Sequence, residues 1–365
     1  MTDRHSVSSM TGREGVPMRP HMPQREARLA HALAELERRF GPGVVARLRD
    51  RPARDPADRV VSSGSVGLDR ATRLGGLPRG HLTEYLGPES SGKTTLLYAA
   101  LAATQRAGGL VALVDTEGSA DGATLAACGV DLDGLLLARP TSARDALLLL
   151  TILARCGGLD ALGLGSIAAL RDLPNGSRHP GPVEREALDT ARLLTRGLRV
   201  LTAALQDGPT AVLATNLTLP IPYSTLSLAE LPPHRSTGGL ALRHFAALRI
   251  AVAPLAVLPI PGPGSEAGAE GLRVGLTVVK HKLGTGGGTA RVDLLVDRGL
   301  DRAEELVRLG LASGILVAES LGVTHQGTQL GRSPAAVRRR LADDGALADV
   351  LADALVAVPI IPRVA

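Results

Sequence analysis

The stretch Gly87-Pro88-Glu89-Ser90-Ser91-Gly92-Lys93-Thr94-Thr95 limits what this chain can fold into more than any other. It fits the phosphate-loop spacing G-x-x-x-x-G-K-[ST], with an apolar run at 81–86 before it and a helix-favouring run at 96–101 after it. A strand that hands such a loop to a helix aims backbone N–H groups and the positive end of the helix dipole at one point, which suits a polyphosphate. In that geometry Lys93 reaches the β and γ phosphates and the Thr94 hydroxyl ligates Mg²⁺. The loop therefore predicts a nucleoside triphosphate site.

The surrounding pattern is α/β. Buried-strand runs fall at 110–115, 135–137, 161–164, 211–215, 248–253, 273–279 and 290–296, and helical runs fall at 121–128, 142–156 and 184–205. Strands alternating with helices predict a mainly parallel sheet. The later strands lack intervening helices and predict antiparallel hairpins, with the Pro/Gly-rich stretch 254–271 as a loop between two of them. Ahead of the core, Leu29, Leu33, Leu36 and Phe40 mark an amphipathic helix over 24–40, followed by a short strand at 44–48 and a polar linker at 49–58. Beyond Gly299, short helical segments are expected at 301–311, 317–321 and 333–358. The chain thus reads as a disordered tail (1–23), a helix-strand element with its linker (24–58), an ATP-binding core (59–300) and a small α+β C-terminal domain (301–365).

Composition narrows the partners. No charge-free apolar run approaches the ~20 residues of a membrane span, the polar start carries no secretory signal, and the two cysteines, Cys128 and Cys156, have neither metal nor disulfide spacing. The expectation is a cytoplasmic protein with no membrane partner. With three Tyr, two Phe and no Trp, a nucleic-acid surface of stacked aromatics is not expected, so any DNA contact falls to arginines and backbone amides. Of 41 Lys and Arg residues only Lys93, Lys280 and Lys282 are lysine. A lysine kept against so strong an arginine preference points to chemistry that needs a compact ammonium, which makes Lys280 and Lys282 candidates beside Lys93. The run Arg338-Arg339-Arg340 reads as a solvated helix face.

Several separate stretches, in order, resemble the bacterial RecA recombinases over about residues 24–345. These are Arg39-Phe40-Gly41-Pro42-Gly43, Ser62-Ser63-Gly64-Ser65, Gly75-Gly76-Leu77-Pro78-Arg79-Gly80, the phosphate loop itself, Asp115-Thr116-Glu117, Cys128-Gly129-Val130-Asp131, Ser236-Thr237-Gly238-Gly239 and Val278-Val279-Lys280-His281-Lys282. The resemblance implies a RecA-like core whose N-terminal helix-strand element drives polymerisation. It also implies a helical filament of the chain with itself on single-stranded DNA, with ATP between subunits. It assigns Glu117 to polarise the attacking water, Asp121 to the adenine, and Lys280 and Lys282 to a neighbour's γ-phosphate. Thr237, Gly238 and Gly239 are assigned to DNA phosphates through backbone amides, and Arg192 and Arg199 to the DNA backbone.

The departures from that family pattern are specific. Gly165 stands where the family has an aspartate that helps to hold Mg²⁺, and Leu217 where it has a glutamine that senses the γ-phosphate. Thr124 and Val296 replace adenine-packing tyrosines, Gly275 and Thr277 replace a basic pair, and His244 replaces a phenylalanine. The expectation is a divergent RecA-like protein of DNA repair, recombination and the response to DNA damage that binds ATP and hydrolyses it weakly. The alternative is an ImuA-like accessory protein of the SOS response. Such a protein would serve an error-prone polymerase complex in translesion synthesis without exchanging strands.

Overall fold

The computed structural model describes residues 22–41, 44–45, 57–170, 183–206, 208–220, 234–237, 239–260, 269–296 and 298–358. The tail before residue 22, the linker at 49–56 and Gly238 lie outside the described residues. The chain forms two compact units, Met1–Arg54 and Asp55–Ala365. In the first, α1 (Met22–Phe40) exposes Leu29 and Phe40. It begins earlier than the sequence suggests and takes Met22 and Pro23 from the expected tail, because proline is tolerated in the first helical turn. Val44 and Val45 form a bend instead of opening the expected strand, and the rest of that strand lies outside the described residues.

The second unit runs β1 (Val60–Val61), α2 (Val66–Ala71), β2 (Leu77–Pro78), β3 (Leu82–Gly87), α3 (Lys93–Arg106), β4 (Val111–Asp115), α4 (Gly122–Ala127), β5 (Leu135–Ala138), α5 (Ala143–Arg155), β6 (Ala161–Gly165), α6 (Val183–Leu205), β7 (Ala211–Pro220), β8 (His234–Ser236) and α7 (Gly239–Phe245). It continues with β9 (Leu248–Ile260), β10 (Ala269–His281), β11 (Thr289–Leu295), β12 (Gly299–Leu300), α8 (Arg302–Ser313), β13 (Val317–Glu319), β14 (Gly322–His325), β15 (Thr328–Gly331), α9 (Pro334–Asp343) and α10 (Gly345–Ala357). The central sheet has the order β12-β11-β10-β9-β3-β7-β6-β4-β5, with β8 on β7. Strands β9, β3, β7, β6, β4 and β5 run parallel, and β9 to β12 form antiparallel neighbours.

Both faces of the parallel half are covered, and the side-chain alternation of a strand explains how. Val111 and Leu113 of β4 pack with Leu96, Leu97 and Leu101 of α3 on one face. Ala112 and Val114 pack with Leu147, Leu150, Leu194 and Leu198 of α5 and α6 on the other. This is a large mixed, mostly parallel α/β sheet, as the alternation of strands and helices predicts.

In the second unit two expectations fail. The stretch 254–271 is mostly strand: β9 continues to Ile260 and β10 begins at Ala269. Proline survives in β9 because β3 pairs with it only as far as Ala251, so Pro254 and Pro259 stand where the strand has a free edge that needs no N–H donor. The segment 317–321 is not helical. Val317–Glu319 forms β13, the first strand of a three-stranded antiparallel sheet. The hairpin turns at Ser320 and Leu321 and closes on Gly322, which pairs with Glu319 and whose φ of 141° suits glycine, and a segment this short gains little as an isolated helix.

The last elements gather around Leu306, Leu316, Val323, Val337, Leu341, Leu351 and Leu355, with Val66 of α2 in the same cluster. A polar contact joins them to the core as well. The buried Glu305 carboxyl accepts from Ser65 Oγ (2.6 Å) and from the backbone N–H groups of Val66 (3.1 Å) and Gly67 (3.1 Å).

Candidate nucleotide site and its neighbours

The phosphate loop lies at the carboxyl end of β3, beside the carboxyl ends of β7, β6 and β4, where open α/β sheets bind ligands. Its glycines are dictated by space. A Cβ on Gly87 would lie 2.3 Å from the Val252 carbonyl oxygen, and one on Gly92 would lie 2.3 Å from Leu294 Cδ1. Gly92 also takes φ 89° as it starts α3, a conformation that glycine adopts without penalty. Pro88, Glu89, Ser90 and Thr94 are exposed, Gly92, Lys93 and Thr95 are half-buried, and Ser91 is buried.

Lys93 Nζ bonds the Pro88 carbonyl and lies 3.3 Å from Ser91 Oγ, so its ammonium already sits inside the loop. Burial pulls its pKa below the usual lysine value, while the nearby carboxylates of Glu117 and Glu89 work the other way. A cavity of about 530 Å³ adjoins the loop, lined by Ser90 to Thr95 on one side and by Val257, Leu272, Leu294 and Val296 on the other. That volume suits a nucleotide. The far wall is aliphatic, and exposed Val296 is part of it.

Glu117 is exposed on the turn after β4, with Ser119 Oγ 3.5 Å from its carboxylate. The backbone N–H groups of Thr116 (2.8 Å) and Glu117 (3.3 Å) donate to the Gly165 carbonyl, which fixes that turn against the end of β6. Asp121 is exposed and caps α4, with its carboxylate accepting from the Thr124 N–H at 2.9 Å. The residues present fit a triphosphate. Their fit to Mg²⁺ is thinner, for Thr94 supplies a hydroxyl but β6 ends in Gly165 without a carboxylate.

Neither Asp115 nor Asp160 fills that gap. Asp115 is buried and held by the N–H groups of Ser119 (3.2 Å) and Ala120 (3.1 Å) and by Arg139 (3.3 Å). Asp160 precedes β6, roughly 16 Å of strand from Gly165, where it pairs with Arg79 at 2.7 Å. Among the described residues no group of three His, Cys, Asp or Glu side chains could hold a metal ion.

Sequence reasoning missed a buried polar chain beside the loop. Glu84 of β3 is fully buried and pairs with Arg249, its register partner on β9. Asn216 of β7 donates to Glu84 Oε1 (2.7 Å) and to the Thr237 carbonyl (2.8 Å), and Thr237 Oγ1 bonds Asn216 Oδ1. Charged residues in the middle of otherwise apolar strand runs were the available signal, since a buried charge needs a partner. Leu217 follows Asn216 and is paired in register with Gly87. It stands beside the loop with no polar side-chain atom.

The structure brings Lys93, Thr94, Glu117 and Thr237 to one end of the sheet. It does not bring Lys280 and Lys282 there. Lys280 pairs with Arg249, opposite Glu84, roughly 10 Å of strand before Gly87. Its ammonium bonds the carbonyls at the end of α7, those of Arg243, His244 (3.2 Å) and Ala246 (2.8 Å). Burial, reinforced by neighbouring Lys282, lowers its pKa to about 8. Lys282 is exposed, as are Arg192, Arg199 and Gly239.

A family model described as the RecA N-terminal domain matches residues 27–301. Protein RecA of Streptomyces venezuelae is 38% identical over 330 residues, which cover 89% of this chain and 82% of the relative. Protein RecA of Acidothermus cellulolyticus is 37% identical over 331 residues, covering 89% of this chain and 90% of the relative. Protein RecA of Salinispora arenicola is 36% identical over 329 residues, covering 88% and 89%. The chain belongs to the RecA family.

Proposed function

We propose that this protein is a DNA repair and recombination protein that assembles with itself on single-stranded DNA, holds ATP between neighbouring subunits and turns it over slowly. The observation that carries this reading is a complete phosphate loop beside an incomplete catalytic edge: Lys93 and Thr94 are in place, but Gly165 and Leu217 offer no polar side chain. Mg²⁺, when bound, would neutralise phosphate charge, with Thr94 as its protein ligand. The chain's own groups bind and orient: the loop N–H groups and Lys93 hold the phosphates, and Glu117 faces the place of the attacking water.

Lys280 and Lys282 lie far from their own loop, and in an assembled chain they serve a neighbour's γ-phosphate. Lys280 can do so only by leaving the carbonyls at the end of α7, which ties nucleotide to the position of that helix. A head-to-tail interface of this kind propagates as an open helix. Gly239, with Gly238 beside it outside the described residues, offers its backbone amide to DNA, whereas the Thr237 N–H, expected from the sequence to do the same, already donates to the Leu217 carbonyl (3.1 Å); Arg192 and Arg199 offer side chains.

Light scattering with a thymidine oligonucleotide tests the reading. ATP should drive assembly of wild type, and Lys93→Ala should weaken ATP binding by about 10- to 100-fold, the loss of one or two charge-assisted bonds. Assembly that ignores ATP contradicts it.

Gly165 and Leu217 also favour a second reading, an accessory role in translesion synthesis beside an error-prone polymerase complex. That reading expects ATP-dependent assembly with no strand exchange, so a strand-exchange assay on homologous duplexes separates the two.

A further inference from the structure

The cleft between α5 and α6 encloses about 480 Å³, and Arg144, Arg192, Arg196, Leu148, Val200 and Asp189 are among its walls. Its charge is one-sided: three guanidiniums face it against one carboxylate. That carboxylate, Asp189, pairs with Arg192 at 3.4 Å with both partners well exposed, a contact that water and salt screen. Arg144 and Arg196 have no ion-pair partner among the described residues, and both are exposed.

On α6 the arginines at 192, 196 and 199 follow helical spacing, so they share one face. They span roughly 10 Å along the axis at about 1.5 Å per residue, close to three nucleotides at the per-strand spacing of about 3.4 Å. Leu148 and Val200 are exposed at 56% and 41% beside these charges. A purely phosphate-binding surface has no use for exposed leucine and valine, whereas the unpaired bases and sugars of a single strand can pack on them. A duplex keeps its bases stacked inside.

We infer that the α5–α6 cleft is a segment of the single-stranded DNA path, in which Arg196 and, from the facing helix, Arg144 hold backbone phosphates alongside Arg192 and Arg199. This rests on the single-stranded DNA binding proposed above and extends it from one helix face to a two-helix groove. The surface is aliphatic, so it holds bases without reading them. Arg144 is the decisive member because it comes from a helix that the loop-and-helix reading leaves out.

The test is the salt dependence of binding of a fluorescein-labelled thymidine oligonucleotide to the full chain, followed by anisotropy from 50 to 400 mM NaCl. Removing one arginine–phosphate interaction flattens the slope of log K against log salt by about 0.7. Arg144→Ala and Arg196→Ala should each flatten it by that amount, and the double variant by about twice as much. Arg155→Ala, an exposed arginine at the far end of α5, should leave the slope unchanged. Equal effects of all three would mean bulk charge, and no effect of Arg144→Ala would confine the path to α6; either result overturns the inference. So would Arg196→Ala abolishing ATP-driven assembly without DNA, which would assign the cleft to a second copy of the chain. A wild type that fails to bind the oligonucleotide at any salt concentration refutes the DNA-binding reading itself, and the cleft's role falls with it.

Discussion

Gly165→Asp is expected to raise DNA-stimulated ATP turnover about 10- to 100-fold above wild type, the scale on which a single electrostatic stabiliser acts at a phosphoryl-transfer site. The backbone permits the change. A Cβ at Gly165 meets nothing within 4 Å, and its φ lies outside the left-handed region that favours glycine. Residue 165 pairs in register with Asp115, two residues before Glu117, and its carbonyl holds the Glu117 turn. A carboxylate there stands at the same sheet edge as Thr94. Gly165→Asn, matched in size and uncharged, should leave turnover where it is, which separates charge from bulk. The gain should be larger in Gly165→Asp with Leu217→Gln, because Leu217 borders the first residue of the loop. Equal turnover in the Asp and Asn variants would show that the missing carboxylate is not what limits this chain.

The second large effect concerns stability. Glu305→Ala should lower stability by about 3–5 kcal/mol, because Ser65 Oγ and the N–H groups of Val66 and Gly67 lose their acceptor in a buried place. In a unit of this size that is a drop in melting temperature of about 5–8 °C.

The same carboxyl gives a pH signature. Burial raises Glu305 from 4.5 to about 7, against its hydrogen bonds to Ser65 and Gly67. Burial likewise raises neighbouring Asp69 from 3.8 to about 6. A carboxyl whose folded pKa is raised binds its proton more tightly when folded, so its contribution is complete below the unfolded value and is lost as pH rises through the folded one. The joint between α2 and α8 should therefore weaken between about pH 5 and 8. Glu305→Gln mimics the protonated form, and its melting temperature should gain on wild type across that window. A gap that stays constant with pH would refute the assignment.

Both effects bear on what the sequence could reveal. The loop, the strand order around it and the family were legible because each rests on local pattern: glycines where a Cβ cannot fit, apolar alternation, and short motifs in order. Gly165 and Leu217 were legible as departures, but only the sheet register places both at the end of the sheet that carries the loop, and rules out Asp160 as a substitute. Glu305 was invisible, since an acidic residue in the first turn of a helix is ordinary until its partners from α2 are known. Glu84 and Arg249 stood out only as charges within apolar strand runs, and strand pairing is what puts them face to face. The stretches 254–271 and 317–321 misled because prolines and short runs say little about strand edges and hairpins, which tertiary pairing decides. Lys280 and Lys282 were singled out by the scarcity of lysine and by the family resemblance, and the structure adds that Lys280 already holds the end of α7.

Steady-state ATP hydrolysis by wild type, measured with and without single-stranded DNA alongside an equilibrium ATP-binding isotherm and the Lys93→Ala control, tests the central claim most directly. The expected result is saturable, Lys93-dependent ATP binding with turnover well below ~1 s⁻¹, the low end of ordinary enzymes, and little stimulation by DNA. Lys93-dependent turnover at or above that rate, strongly stimulated by single-stranded DNA, would contradict it.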